Sequence, residues 1–303
     1  MIGAVDIGGT KIAVGMVDKD GKVRASCECP TEARNGLEEG LSRIIRMLQE
    51  TACEAGESLE GIGIGCTGPV NPHKGTIGQV EFLPGWEGAN LVGELSKAFG
   101  MPVAIENDAD AAALGEWAWG AGTGTSKFLL VTVGTGIGVG SILDGKLYRG
   151  VNGSHPEIGH HVIDPSGPAC FCGARGCWES LASGPAMEGW AQSNHPEGKR
   201  LSARQLCVNA EQGDELAQAA VRRTARYLGT GLANLVTLFT PEMIALGGGL
   251  LQSYHLFWPA IEQAIETNCG LVPHQDVQLV PSRLGALTGV IGAARVWIEQ
   301  FGA

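Results

Sequence analysis

The chain has 303 residues, 44% of them hydrophobic and 17% charged, with a formal net charge of −11. That supplies apolar material for one large core or two, and the acidic balance without a basic cluster excludes a surface built to grip nucleic acid. No apolar run reaches the roughly 20 residues that span a bilayer, and Met1-Ile-Gly-Ala-Val-Asp6 lacks the basic and apolar regions of an export signal, so a cytoplasmic protein with reduced thiols and no membrane association is expected. Nine cysteines is an odd count. Cys27, Cys29, Cys53, Cys66, Cys207 and Cys269 lie scattered among apolar neighbours and read as small buried hydrophobes.

In chain order, residues 2–7 read as a strand, Gly8-Gly9-Thr10 as a turn, and Lys11 to Val17 as a second strand. A turn at residues 18–21 leads to a third strand ending near Cys29, so the three form an antiparallel meander. Leu37, Leu41, Ile44, Ile45, Leu48 and Ala52 recur at helical spacing within 36–55. Gly61–Cys66 is a buried strand, followed by a helix near 91–99, a strand at 102–105 and a helix opening at Asn107-Asp108. A second series begins at Lys127: strand 128–133, turn 134–138, return strand 139–143, and an Asp144-Gly145 hairpin. Helices near 203–212 and 214–238, a strand at 243–246, a helix near 256–267, a strand at 277–280 and a helix at 288–300 complete the chain.

The second series repeats the first in outline, which implies two α/β lobes with a cleft, a usual place for a ligand. The expected boundaries are 1–118 for a smaller lobe, completed by a C-terminal helix at about 288–303, and 119–287 for a larger lobe carrying the cysteine segment.

Three glycine turns end apolar strands: Asp6-Ile-Gly8-Gly9-Thr10-Lys11, Gly134-Thr135-Gly136 and Gly247-Gly248-Gly249. Glycines let backbone N–H groups approach phosphate, Thr10 adds a hydroxyl and Lys11 a charge. Asp6 suits magnesium or its waters beside a nucleotide. None has the spacing of a Walker or dinucleotide fingerprint, which argues against P-loop and dehydrogenase chemistry. A different chemistry gathers at His160, Cys170, Cys172 and Cys177. Three thiols and an imidazole are ligands zinc prefers, and four of them close a tetrahedron. His155 and His161 are alternative nitrogen ligands. Glu157 and Glu179 flank the cluster.

Asp6-Ile-Gly-Gly-Thr-Lys11, Val131-Thr-Val-Gly-Thr-Gly-Ile-Gly138, Glu157-Ile-Gly-His160, Cys170-x-Cys-Gly-x-x-Gly-Cys177-x-Glu179 and Leu246-Gly-Gly-Gly249 together resemble the ROK family of sugar kinases. The resemblance runs the length of the chain, and the cysteine motif beside Glu-x-Gly-His is its most specific part. It implies the actin-like, hexokinase-type ATPase fold, built on a ribonuclease H-like repeat. It also implies ATP with magnesium as donor, a structural zinc that organises the sugar site, and a homodimer or larger homo-oligomer.

The Asn-Asp pair of the family aligns with Asn107 and Asp108. Asp108 would take the hydroxyl proton and Asn107 would bond sugar hydroxyls; read from the residues alone, Asp108 is equally a helix cap, with Asp110 competing for that role. Thr67-Gly68-Pro69-Val70 matches a sugar-side loop that uses backbone groups. Glu157 and His160 would face the sugar, with the other ring nitrogen of His160 on zinc. Glu179 is either a third sugar contact or a helix-start carboxylate. Ser154-His155-Pro156 before Glu157 looks like the fructokinase branch, whereas the cysteine spacing looks like glucokinases and N-acetylhexosamine kinases. Glucose is the first expectation, with fructose, mannose or an N-acetylhexosamine behind it. Polyphosphate stays open as an alternative donor, and a sugar-sensing regulator without a DNA-binding domain, or an actin-like ATPase acting on a protein, are the readings from other classes.

Overall fold

The structure, a computed structural model, describes residues 1–302. The elements are β1 (Ile2–Ile7), β2 (Lys11–Val17), β3 (Val23–Pro30), α1 (Leu37–Ala55), β4 (Gly61–Cys66), β5 (Val70–Asn71), β6 (Thr76–Ile77), α2 (Leu91–Phe99), β7 (Val103–Asn107) and α3 (Asp108–Trp119). There follow β8 (Phe128–Val133), β9 (Ile137–Leu143), β10 (Lys146–Leu147), α4 (Trp178–Ala182), α5 (Gly184–Asn194), α6 (Ala203–Glu211), α7 (Glu215–Phe239), β11 (Met243–Gly247), α8 (Trp258–Asn268), β12 (Gln278–Pro281) and α9 (Thr288–Phe301). Residue 303, the last of the expected C-terminal helix, lies outside the described residues.

Two compact units divide the chain. The first comprises Met1–Ser126, Gly140–Pro156 and the stretch from Ser282; the second comprises Lys127–Val139 and Glu157–Pro281. The first therefore runs past residue 118 and takes back a hairpin and loop at 140–156, which the sequence reading had assigned to the other lobe.

The sheet of the first unit has the order β3-β2-β1-β4-β7. β1 to β3 form the meander, and β4 and β7 join in parallel. The run Gly61-Ile-Gly-Ile-Gly-Cys66 shows why the sequence alternates. Side chains alternate faces along a strand. Ile62 and Ile64 pack with Ile44 and Leu48 of α1. Gly61 and Gly63 face α9, where a Cβ would overlap Trp297 and the Ala293 carbonyl. α9 also crosses α3 at a glycine pair: a Cβ on Gly115 would lie 2.9 Å from Gly292 Cα. Large residues here would force the helices off the sheet.

The second sheet has the order β10-β9-β8-β11-β12, with β8, β11 and β12 parallel. In the second unit α7 packs against α4, α5, α6 and α8. Trp178, Leu228, Leu232, Phe257 and Ile261 sit in one buried cluster. α4 and α5 go beyond the sequence reading. Gly184-Pro185 looks like a helix breaker, but here Ser183 caps and Pro185 occupies the first turn of α5, where its missing N–H costs nothing. β9 begins at Ile137, two residues before expected. Of the cysteines read as buried, Cys66, Cys207 and Cys269 are buried and Cys27 and Cys29 half-buried, but Cys53 is exposed; it lies in the last turn of α1, off the helix's apolar stripe.

Candidate functional site

The junction of β7 and α3 places five polar-rich residues, 106–110, in five environments. Asn107 is the helix cap: its Oδ1 accepts from Ala109 N at 2.9 Å and Asp110 N at 3.3 Å. Its Nδ2 donates to Gly68 O at 3.2 Å, which ties the 67–70 loop to the helix start. Gly68 has φ +87, a conformation that favours glycine. Asp108 therefore opens the helix proper and is not its cap, and of the five it alone is not buried. Asp110, the competing cap candidate, is fully buried, with His155 Nδ1 2.9 Å from its Oδ2. Glu106 is buried too, and Arg149 Nε donates to its Oε2 at 2.8 Å. Burial pushes the Glu106 carboxyl up, against the pull of Arg149.

Asp6 ends β1 close by; a Cβ on Gly65 would lie 3.8 Å from Asp108 Cα and 4.0 Å from Asp6 Oδ1. Desolvation pushes the Asp6 carboxyl up to about 7, the Asp108 charge adds to the rise and Lys11 opposes it. At the first glycine turn Gly8 N donates to Lys11 O at 2.9 Å and Thr10 is exposed. Phe82 closes on Gly9, so a side chain there would strike the ring. Lys11 does not stand free beside the turn, because its Nζ meets Glu28 Oε2 at 2.8 Å on the neighbouring strand.

The two glycine turns of the second unit meet each other. A Cβ on Gly134 would lie 4.0 Å from Gly249 N, and Gly248, at φ +92, backs onto the Val133 carbonyl. Thr135 is exposed, and Gly247 is buried as the end of β11. Gly136 has another neighbour. Glu179 Oε2 accepts from Ile137 N at 2.8 Å, and a Cβ at 136 would overlap that carboxylate. Glu179 thus touches the same turn that was read as a phosphate loop.

His160, Cys170, Cys172 and Cys177 bring their four ligand atoms within 4.8 Å of one another. His160 Nδ1 lies 3.4 Å from Cys170 Sγ, and Cys172 Sγ 3.5 Å from Cys177 Sγ. These are the edge lengths of a small tetrahedron, such as about 2.3 Å metal–sulfur bonds produce. Burial pushes the Cys177 thiol up to about 12, with the two neighbouring thiols adding to the rise. Cys170 is raised by burial, whereas the Ala174 backbone amide lowers Cys172. A cation at the centre reverses this cost, since coordinated thiols deprotonate. The donor set fits a metal ion. His160 Nε2 points the other way and lies 3.9 Å from Glu179 Oε1, and Phe171 stands edge-on to the ring at 5.0 Å.

Trp178 fixes this segment. Its ring is fully buried against Gly231 of α7, where a Cβ would overlap the indole, and its backbone amide donates to His161 O at 3.0 Å. His161 does not take the place of His160: its Nδ1 lies 2.6 Å from Ile158 O and its Nε2 3.2 Å from Asn234 Nδ2. His155 belongs with Asp110. Glu157 is exposed just before the helical turn of Ile158–His160. The residues missed by sequence reasoning are Glu106, Arg149 and the Asp110–His155 contact; their one signal is the unusual run of buried-strand acids around Asp108.

A profile of the ROK family matches residues 2–300. The chain is 33% identical to a glucokinase of Thermotoga maritima, over 98% of this chain and 97% of that one. It superposes on the crystal structure of a ROK hexokinase from Thermus thermophilus with a TM-score of 0.88 and 36% identity, over 100% of this chain and 99% of the other. A ROK family glucokinase from Streptomyces griseus, in complex with glucose and AMPPNP, aligns with a TM-score of 0.83 and 33% identity over 97% of each chain.

Proposed function

We propose that this chain, which belongs to the ROK family, transfers the γ-phosphate of ATP to the 6-hydroxyl of a hexose, with glucose as first substrate. Its fold is mixed α/β, of the two-lobed actin-like kind shared with the ROK hexokinase. The observation that carries the reading is the arrangement of residues 106–110. Four are buried, and Asp108 alone is half-buried, in the first turn of a helix. A carboxylate so placed accepts the proton of the hexose hydroxyl as that oxygen bonds to the γ-phosphorus. The bond from phosphorus to the bridging oxygen breaks, and ADP leaves. Charge stabilisation by positioned groups supplies most of the rate.

The remaining N–H of Asn107, the Gly68 loop, Glu157, His160 and Glu179 are assigned to the other sugar hydroxyls. A site of paired donors and acceptors rejects analogues that lack a hydroxyl. The glycine turns at 8–10, 134–136 and 247–249 supply N–H groups for phosphates. Magnesium, with Asp6 and ATP, supplies charge neutralisation. Zinc is the metal we assign to His160, Cys170, Cys172 and Cys177. Four protein ligands give it a closed, structural shell, and its effect is to hold the His160 ring with Nε2 presented toward Glu179. No helix among the described residues is long and apolar enough to cross a membrane, and we place the reaction in the cytoplasm, in a homo-oligomer.

The test is ADP release from ATP across a hexose panel that includes fructose, mannose and N-acetylhexosamines. Strong stimulation by glucose is expected; release that no sugar stimulates defeats the reading.

A further inference from the structure

Glu106 and Asp110 bracket Asn107 and Asp108 in sequence, and each meets one end of the segment 149–155. Arg149 bonds Glu106 through Nε at 2.8 Å and also through Nη2. His155 Nδ1 lies 2.9 Å from Asp110 Oδ2, with the imidazole 5% exposed and the carboxylate fully buried. Neither Asp110 oxygen makes an aligned hydrogen bond, so the ring at 2.9 Å is a close contact of the ion-pair kind and not a formed hydrogen bond. Between the two anchors the chain closes on itself: Gly150 N donates to Ser154 O at 2.7 Å and Ser154 N to Val151 O at 3.2 Å. Asn152 and Gly153 take left-handed backbone at φ 57 and φ 77 to make the turn.

Burying a carboxylate is costly unless a partner compensates it, and apolar packing would close such a loop at less cost. Two buried acids here serve the same seven residues, and both come from the strand–helix junction that carries Asp108. Two residues after His155 the chain reaches Glu157. The loop's path therefore starts from a point fixed by α3 and leaves the first unit at Pro156, directly before Glu157 in sequence.

We propose that Asp110 and His155 form a positioning pair for hexose recognition: their contact sets where the chain enters Glu157, and so the binding of sugar rather than of nucleotide. The inference rests on the hexose-kinase reading above. The first measurement separates the two, because absence of sugar-stimulated ADP release in the unaltered chain defeats that reading itself. With stimulation established, His155→Leu is expected to raise the KM for hexose about tenfold, in line with coupling energies between contacting residues, while the KM for ATP stays within about twofold. His155→Gln, which keeps an N–H donor, recovers most of the hexose affinity. His155→Asn stays polar but falls short of the carboxylate, and it is expected to show the same selective loss where the leucine variant folds poorly. Adding Asp110→Asn to His155→Leu raises the hexose KM little further. A hexose KM unchanged in the leucine and asparagine variants overturns the proposal. So does an equal rise in both KM values, which marks the pair as general support for the fold.

Discussion

The helix start at 106–110 and the cysteine segment at 160–179 both hold polar side chains still, and they do so by opposite means. At the helix start the buried polar groups face groups of the chain itself: Asn107 caps, Glu106 has Arg149, and Asp110 has the His155 ring 2.9 Å away. At the cysteine segment the chain brings four ligand atoms together and leaves them facing one another, with the Cys177 thiol pushed up to about 12. The first arrangement is complete as folded. The second fits an ion that the chain does not itself supply, so its geometry would depend on conditions outside the chain.

The largest effect that tests this contrast is expected at Asp108. Asp108→Asn should lower kcat by about 10²- to 10⁴-fold, the range of a lost general base, with hexose binding by calorimetry still measurable. Retained turnover would move the base elsewhere. Next, chelation or Cys172→Ser should lower the melting temperature and also weaken hexose binding, because His160 loses its fixed orientation. Should melting shift while the hexose KM stays put, the ion supports only the fold. Chelation should leave nucleotide binding without hexose unaffected, because none of the four ligand candidates lies in the glycine turns.

The smallest effect is a pH slope at Asp6. Its folded-state pKa of about 7 lies above the ordinary 3.8. The folded chain holds a proton there that the unfolded chain has released, so this group's contribution is full below about pH 4 and is lost as pH rises through 7. Asp6→Asn should remove that slope. Melting curves in chelator at pH 5 and pH 8 should show the variant gaining on the unaltered chain as pH rises, and parallel curves would count against the raised pKa.

How much was legible in the sequence follows from how local each feature is. The meander of β1 to β3, the amphipathic α1 and the long α7 announce themselves through spacing within one element. The four metal-ligand candidates were legible because they span eighteen residues. The Lys11–Glu28 pair was not, because strand pairing brings together residues seventeen apart. His155 and Asp110 are forty-five apart, and nothing local distinguishes a buried acid from a helix cap. α4 and α5 escaped because Trp178, Leu181 and Met187 gain their burial from other elements, α7 among them, which periodicity within a short helix cannot show. Cys53 was read by its neighbours in sequence, and its exposed position depends on the face of α1 it occupies.

The crossing of α3 and α9 at Gly115 and Gly292 carries a consequence for synthesis. The first sheet begins at Ile2, yet the helix that covers β1 and β4 and seats α3 is made after every other element of the first unit. A nascent chain thus waits for residues 288–301 before the helix that begins with Asp108 has its final support. Contacts between the two ends of a chain form slowly. Removing α9 would expose the glycine-lined face of β4, and the helix carrying Asp108, the proposed proton acceptor, would lose its support although every residue of the site itself remained.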